Sequence, residues 1–260
     1  MEQRAAKNDT RPSGGPRPAR LHTQVARDIG LAILSGRLRP GHVLEGEIEA
    51  SERRDVSRTV YREALKILSA KGLLRSRPRT GTRVSRIEDW HLLDPDLLGW
   101  LFSESPSPEV LHGLFELRSM VEPAAAALAA ERRQRPHLER MRRALDDMAH
   151  HTLRKPEGRK ADMVFHAELL SSTANPFVIS LIKGVTAAVD ALTEYKLRLA
   201  RIDRDPVPDH FRVYDAIAAK DPEAARDAMI RLIRLAILDV PSQQRPRAPA
   251  ARRDDAPFFA

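Results

Sequence analysis

The stretch Val56–Leu74, VSRTVYREALKILSAKGLL, decides the fold of the first third of this chain. Ser57 is a favourable helix N-cap and predicts a helix that begins at Arg58. Arg58, Arg62 and Lys66 recur every four residues, so they form a basic stripe along one helix face. A helix that is apolar on one side and basic on the other suits the major groove of DNA, although a solvated basic helix is the simpler interpretation. Its apolar side consists of Val60, Ala64, Ile67 and Leu68.

Two helices are predicted upstream of this stretch, over about 21–36 and 46–54, with the turn Arg39–Gly41 between them. The second and third helices, joined tightly, predict a helix-turn-helix. Downstream, basic residues and short apolar positions flank a glycine turn, which is typical of a β-hairpin wing. Together these features favour DNA binding over a solvated surface. The predicted DNA-contacting residues are Ser57, Arg58, Thr59, Arg62, Arg79, Thr80 and Gly81.

The charge of the chain is unevenly placed along the sequence. The 260 residues contain 44 Lys+Arg and 36 Asp+Glu, a formal net charge of +8, and the sequence pI is about 10.2. Residues 1–86 hold 19 of these cationic residues against 9 acidic ones, whereas the remaining 174 residues hold 25 against 27. The basic character therefore belongs to the N-terminal part, as a nucleic-acid-binding domain requires.

Several classes of protein are excluded by composition. The chain has no cysteine, which excludes disulfides and thiolate metal sites. No apolar run approaches the ~18 residues of a membrane span, and the N-terminus has no hydrophobic signal core, so we expect a cytoplasmic protein with no membrane partner. Residues 1–20 and 241–260 are rich in Arg and Pro and are predicted to be a disordered basic arm and a disordered tail.

Residues 107–240 show helical periodicity throughout and no strand pattern. The expected fold class is mainly α, with a winged helix-turn-helix and its small β-wing at 21–86 and an all-α helical bundle at 107–240. The segment 87–106 alternates apolar residues with helix breakers and is predicted to be a structured connector. The predicted bundle helices cover about 107–133, 135–153, 157–173, 176–202, 207–219 and 222–240.

Polar residues on the apolar faces of these helices are the candidate functional residues. Arg118 lies at the centre of an apolar face with Glu122 one turn later, so it either forms an internal ion pair or clamps a ligand carboxylate. Asp162 and His166 are four residues apart on an inward face, and His210 also points inward. They are either satisfied core residues or ligands of a divalent metal ion.

The stretch VSRTVYREALKILSAKGLLRSRPRTGTRV resembles the winged helix of the GntR family of bacterial regulators. It departs from the usual family pattern at Val60 and Tyr61, where Pro-Val is common, and at Glu45–Ser51. FELRSMVEPAAAALAA is similar to the opening helix of the FCD effector domain of the FadR subfamily, and Trp90–Trp100 is similar to the connector of its galactonate-responsive branch. The residues that match the winged helix are Val56, Ser57, Arg58, Thr59, Arg62, Glu63, Ala64, Leu65, Gly72, Leu73 and Gly81.

The resemblance implies a homodimeric regulator, expected to be a repressor, that binds an inverted-repeat operator in double-stranded DNA. It implies a metal site formed by Asp162, His166 and His210, with zinc expected and nickel or manganese as alternatives. The family's final histidine ligand falls at Leu232, so either oxygens of the effector and water complete the coordination, or the site is weak or empty. We favour a three-ligand site with open positions. Arg118 would lie beside the effector, a small carboxylate such as an aldonate.

Two other classes of function compete with this interpretation. A metal-dependent enzyme could use Asp162, His166 and His210 to activate water, but the sequence has no evident general base beside them and no nucleophile motif. A DNA-architectural protein would not need a bundle with inward Arg, Asp and His residues. We therefore predict that the chain is not an enzyme.

Overall fold

A computed structural model describes residues 18–77, 81–199 and 204–240. Most of the predicted basic arm, the predicted tail and the wing-tip residues Arg79 and Thr80 lie outside the described residues. Within these ranges the chain is mainly α-helical, with one small antiparallel sheet. This confirms the predicted fold class. No helix in these ranges is both long and apolar enough to cross a lipid bilayer.

The N-terminal unit is a helix-turn-helix followed by a two-stranded wing. Its helices are α1 (Pro18–Leu34), α2 (Glu47–Arg53) and α3 (Arg58–Ala70), and its strands are β1 (Leu74–Arg77) and β2 (Gly81–Val84). The strands pair antiparallel, with Leu74 opposite Val84 and Arg77 opposite Gly81. α3 ends at Ala70 because the chain then reverses at Gly72, whose φ of 77° suits glycine.

The core of this unit is formed by the apolar side of α3 packed on α1. Val60, Ala64 and Leu68 are buried, as the periodicity of the sequence predicts. Tyr61, one of the positions that depart from the usual family pattern, is only 2% exposed. Tyr61 therefore belongs to the buried side of α3, whereas Arg58 and Arg62 are exposed.

The connector contains a 3-10 turn (Ile87–Asp89) and a helix, α4 (Pro95–Ser103). Trp100 of α4 packs against Gly30 of α1 so closely that a Cβ at Gly30 would lie 2.5 Å from the indole ring. At its other side α4 packs on a bundle helix, α9 (Ile182–Leu199). The connector is thus in direct contact with both units.

The C-terminal unit is an all-α bundle. Prolines stand at the first turn of most of its helices, where the missing N–H costs no intrahelical hydrogen bond. The segment predicted as one helix over 176–202 is broken at Leu181 into a short helix and a longer one. Within the described ranges its helices are α5 (Pro108–Arg132), α6 (Arg135–His151), α7 (Pro156–Ser171), α8 (Pro176–Ser180), α9, α10 (Val207–Ala218) and α11 (Pro222–Leu238).

Candidate DNA-binding face and metal centre

The start of α3 presents a basic, solvent-exposed face. Arg58, Thr59 and Arg62 are exposed. Arg62 Nε lies 3.7 Å from Glu47 Oε2 across the surface, whereas Arg58 has no ion-pair partner among the described residues. Ser57 Oγ accepts a hydrogen bond from the Val60 amide at 3.3 Å, so this hydroxyl caps the helix. Arg58 is therefore the member of the basic stripe with its guanidinium fully available to a phosphate or base.

The wing is stabilised by contacts of two of its arginines. Arg75 Nη2 donates to Asp89 Oδ2 at 2.9 Å, and Arg83 Nη1 donates to the Gly41 carbonyl at 3.3 Å. Gly81 begins β2 with a φ of 78°, a conformation that a turn requires and that glycine adopts without strain. Arg75 and Arg83 therefore stabilise the wing. The DNA contacts predicted for the wing come from other residues, Arg79, Thr80 and Gly81.

Three predicted metal ligands come together inside the bundle. Asp162 and His166 lie on the same face of α7, and His210 approaches from α10. Asp162 Oδ1 is 3.1 Å from His210 Nε2 and 3.5 Å from His166 Nε2. All three residues are buried, and one ligand atom of each lies within 4.8 Å of the others. Spacing along the sequence predicts the α7 pair, and packing of α10 supplies the third residue.

Each imidazole is oriented by a contact at its other nitrogen. His210 Nδ1 donates to the carbonyl oxygen of Pro206 at 2.9 Å, and the other ring nitrogen, Nε2, faces Asp162. His166 Nδ1 lies 2.8 Å from Glu122 Oε2 of α5, an ion-pair contact at the nitrogen that does not face Asp162. Such outer contacts fix the ring orientation of histidine ligands in metal sites.

Arg118 and Glu122 form an ion pair that is buried in the bundle. Arg118 Nε donates to Glu122 Oε1 at 2.5 Å and Nη2 to Oε2 at 3.4 Å, while Nη1 takes no part in the pair. Burial opposes the charge of Glu122, but Arg118 and His166 outweigh that effect and lower the pKa of Glu122 to about 2. Arg118 thus forms an internal ion pair, and its partner Glu122 also contacts the candidate metal ligand His166.

The charges around the centre favour the ionised form of Asp162 and the protonated form of His166. Burial alone would lower the pKa of His166, but Glu122 and Asp162 raise it to about 9. Burial would raise the pKa of Asp162, but His166 and His210 hold it well below its ordinary range. The centre thus retains an ionised carboxylate next to at least one imidazole that is cationic when no other cation is present.

The donor set fits a divalent metal ion. Asp162 Oδ1 is buried with no hydrogen bond of good geometry among the described residues, yet two imidazole Nε2 atoms face it. An ion held by one carboxylate oxygen and two imidazoles satisfies that oxygen and suits zinc, nickel or manganese. Leu232, where the resemblance expects a further histidine, is a buried residue of α11 and offers no ligand atom.

Two features of the site were not predicted from the sequence. Glu122 contacts His166 as well as Arg118, and this contact depends on how α5 packs against α7. Lys196 of α9 is buried, with 7% of its surface exposed. A signal for Lys196 was present, because it continues an apolar stripe at helical spacing: Val185, Val189 and Leu192.

Two family models match the chain, one over the DNA-binding unit and one over the bundle. The model described as "Bacterial regulatory proteins, gntR family" matches residues 21–84, and the model described as "FCD domain" matches residues 113–235. A solved structure described as Lar, which controls the expression of the Listeria monocytogenes agr system, covers 88% of this chain and 98% of its own at a TM-score of 0.56 and 17% identity. This last similarity shows the fold alone.

Two relatives from Escherichia coli (strain K12) match over most of their length. An uncharacterized HTH-type transcriptional regulator, YieP, is 33% identical, with 81% of this chain and 91% of that protein covered. The galactonate operon transcriptional repressor is 30% identical, with 81% and 92% covered. The chain therefore belongs to the GntR family of bacterial transcriptional regulators and carries an FCD domain, which makes it a DNA-binding regulator and not an enzyme.

Proposed function

We propose that this regulator is a repressor whose affinity for operator DNA falls when a small sugar acid binds beside a metal ion in the bundle. The observation that carries the proposal is the convergence of Asp162, His166 and His210 around one buried point. The 30% identity to the galactonate operon transcriptional repressor supports an aldonate, such as galactonate, as the effector class. The protein would act in the cytoplasm, where its DNA target lies.

The DNA-binding unit would act as one half of a homodimer on an inverted repeat. A single winged helix reads a short site, and two-fold symmetry doubles it. In this arrangement Arg58 and Arg62 would enter the major groove, with Thr59 beside them, while Ser57 fixes the start of the helix. The wing would add contacts at Gly81, Thr80 and Arg79. Residues 21–86 thus read DNA in this proposal, and residues 107–240 sense the effector and dimerise.

The bundle would hold the metal through Asp162, His166 and His210. When bound, such an ion supplies a Lewis acid that attracts the carboxylate and a hydroxyl of the effector. Because Leu232 provides no ligand, positions remain for oxygens of the effector and water. Arg118 would border the ligand with Nη1, the nitrogen that the Glu122 pair leaves unused.

The connector offers a continuous physical route from the bundle to the recognition helix α3. Arg198 of α9 donates to the carbonyl oxygens of Phe102 and Ser103 at the end of α4. At the other end of α4, Asp94 accepts from Lys71 next to α3. A ligand that prefers one placement of α9 would therefore shift the placement of α3. A coupling of this kind typically changes affinity by about 5–150-fold.

A thermal-shift screen tests the sensing half of this proposal. The full chain would be heated with hydroxy acids of two to six carbons, including galactonate, in the presence and absence of Zn²⁺, Ni²⁺ or Mn²⁺. We expect one acid to raise the melting temperature only in the presence of metal, because ligand bound to the native state stabilises it. Failure of every acid with every metal would remove effector sensing from the proposal.

A further inference from the structure

An apolar stripe runs along the solvent side of α5. Met120 is 69% exposed, Gly113 and Ala124 are exposed, and Leu117 is partly buried. At 3.6 residues per turn these four positions fall within an arc of about 60° around the helix axis. They therefore form one continuous face, the α5 stripe, with a large exposed methionine near its centre.

The outward face of α6 shows how a solvated face of this bundle is built. Arg135 pairs with Glu139 and Arg142 pairs with Asp146 along it, and all four side chains are exposed. The α5 stripe contains no charged residue, and Glu116 lies at its edge. An exposed uncharged stripe with a charged rim is typical of a protein–protein contact.

A leucine-lined groove of about 310 Å³ adjoins the first half of the α5 stripe. One wall comes from the connector and the other from α5, and Gly113 and Leu117 belong to both the groove and the stripe. The stripe therefore continues into a concave apolar surface that can receive a side chain. Its other apolar lining residues are Leu92, Leu93, Leu98, Leu101, Val110 and Leu114.

The α5 stripe is complementary to itself about a single two-fold axis. Gly113 precedes Leu117 by four residues and Ala124 follows Met120 by four, so the two pairs share one midpoint. A two-fold axis through this midpoint runs two copies of α5 antiparallel and sets Leu117 against the partner's Met120 and Gly113 against the partner's Ala124. Large side chains then meet at the centre, and small ones at both ends let the helices approach closely.

We propose that the α5 stripe is the surface through which two copies of this chain dimerise, with the partner's Met120 entering the groove beside Leu117. This inference rests on the proposed function, because it names the surface that a homodimer on an inverted repeat requires. The groove has the connector as one wall, so the contact touches the segment that joins the bundle to the DNA-binding unit. The pairing of the two DNA-binding units is then set next to the connector of each protomer.

Sedimentation velocity of the full chain tests this assignment. Met120→Glu places two carboxylates close together at the centre of the contact and should weaken the dimer about 100-fold or more. Because Met120 is 69% exposed in the protomer, the variant should keep the far-UV circular dichroism of the wild type. Val164→Glu is the matched control, since Val164 is 39% exposed in a cleft between α6 and α7 that no residue of α5 lines, and it should remain dimeric.

Cross-linking tests the register of the two helices. The chain has no cysteine, so a Gly113→Cys chain and an Ala124→Cys chain can be co-expressed and treated with a short bismaleimide reagent. The mixture should cross-link and neither variant alone should, since two like cysteines would lie ~16 Å apart along the helices at 1.5 Å per residue. A Cβ at Gly113 meets no heavy atom within 4 Å, so this variant should fold.

Two kinds of failure can be told apart. If Met120→Glu sediments as a dimer like the wild type, or if the mixed cysteine variants cross-link no better than each alone, the assignment of this face is overturned and the homodimer stands. If the wild type sediments as a monomer, with and without DNA that carries an inverted repeat, the homodimer of the proposed function itself fails, and the α5 stripe loses its role with it.

Discussion

Lys71 Nζ, at the C-terminal end of the recognition helix, donates to Asp94 Oδ1 at the N-terminus of the connector helix over a distance of 2.7 Å. The same ammonium donates to Asp96 Oδ2 at 2.7 Å and lies 5.7 Å from the centre of the Trp100 ring. Asp94 is also the N-cap of α4, where it accepts from two backbone amides. The DNA-binding unit is thus fixed to the connector by a pair that is mostly shielded from solvent.

Replacement of Lys71 by Met should loosen this attachment. We expect a loss of about 1–3 kcal/mol in the free energy of unfolding, because a buried charge-assisted hydrogen bond is removed. The measurement is urea denaturation, and Arg86→Met is the control, since the pair of Arg86 with Glu88 is exposed to solvent and contributes little to stability. Equal stability of Lys71→Met and Arg86→Met would show that the pair does not hold the two units together.

Replacement of Arg58 by Ala should weaken operator binding by about 1–3 kcal/mol and relax the sequence preference at one position. The reason is that its guanidinium is exposed at the start of α3 and has no ion-pair partner among the described residues. Binding would be followed by fluorescence anisotropy on an operator obtained by in vitro selection. Arg135→Ala, an exposed arginine of the bundle, should bind as the wild type does. Wild-type affinity of Arg58→Ala would place the DNA on another face.

Metal binding should release about one proton near neutral pH. Although burial favours the neutral imidazole, Glu122 and Asp162 raise the pKa of His166 to about 9, and a ligating imidazole must be neutral. Affinity for Zn²⁺ should therefore rise by about tenfold per pH unit between roughly pH 6 and pH 8. Calorimetry in buffers of different ionisation enthalpy counts the released proton. Equal affinity at both ends of this range, with no proton released, contradicts the assignment of His166 as a ligand.

Glu122→Gln, which replaces the carboxylate by an uncharged amide of the same shape, should strongly destabilise the bundle. It leaves Arg118 buried without its anionic partner and removes the negative charge beside His166, at a cost of about 3–5 kcal/mol. Loss of that outer contact should also lower metal affinity by about 10–100-fold. Glu116→Gln, on the exposed side of the same helix, is the control for urea denaturation and metal analysis. If the two variants behave alike, Glu122 supports neither the fold nor the centre.

Local patterns of the sequence predict the elements whose causes are local. The winged helix-turn-helix follows from the N-cap Ser57, the periodicity of α3 and the glycine turn at Gly81, all of which depend on near neighbours. The inward position of Asp162 and His166 follows from their spacing on one amphipathic helix. These features need no knowledge of the tertiary structure.

Contacts between distant helices could not be predicted in this way. The approach of Glu122 to His166 and that of Lys71 to Asp94 each join elements whose relative placement is set by packing. Such contacts between distant helices therefore require the structure.

Operator affinity, measured with and without galactonate on metal-loaded wild type and on the double variant Asp162→Ala/His210→Ala, tests effector sensing at the metal centre most directly. We expect galactonate to weaken operator binding by the wild type about 5–150-fold. The double variant should bind the operator with wild-type affinity and should not respond, since both substitutions lie in the bundle and not on the DNA-binding face. An equal response of the two proteins to galactonate would contradict a ligand site at this centre.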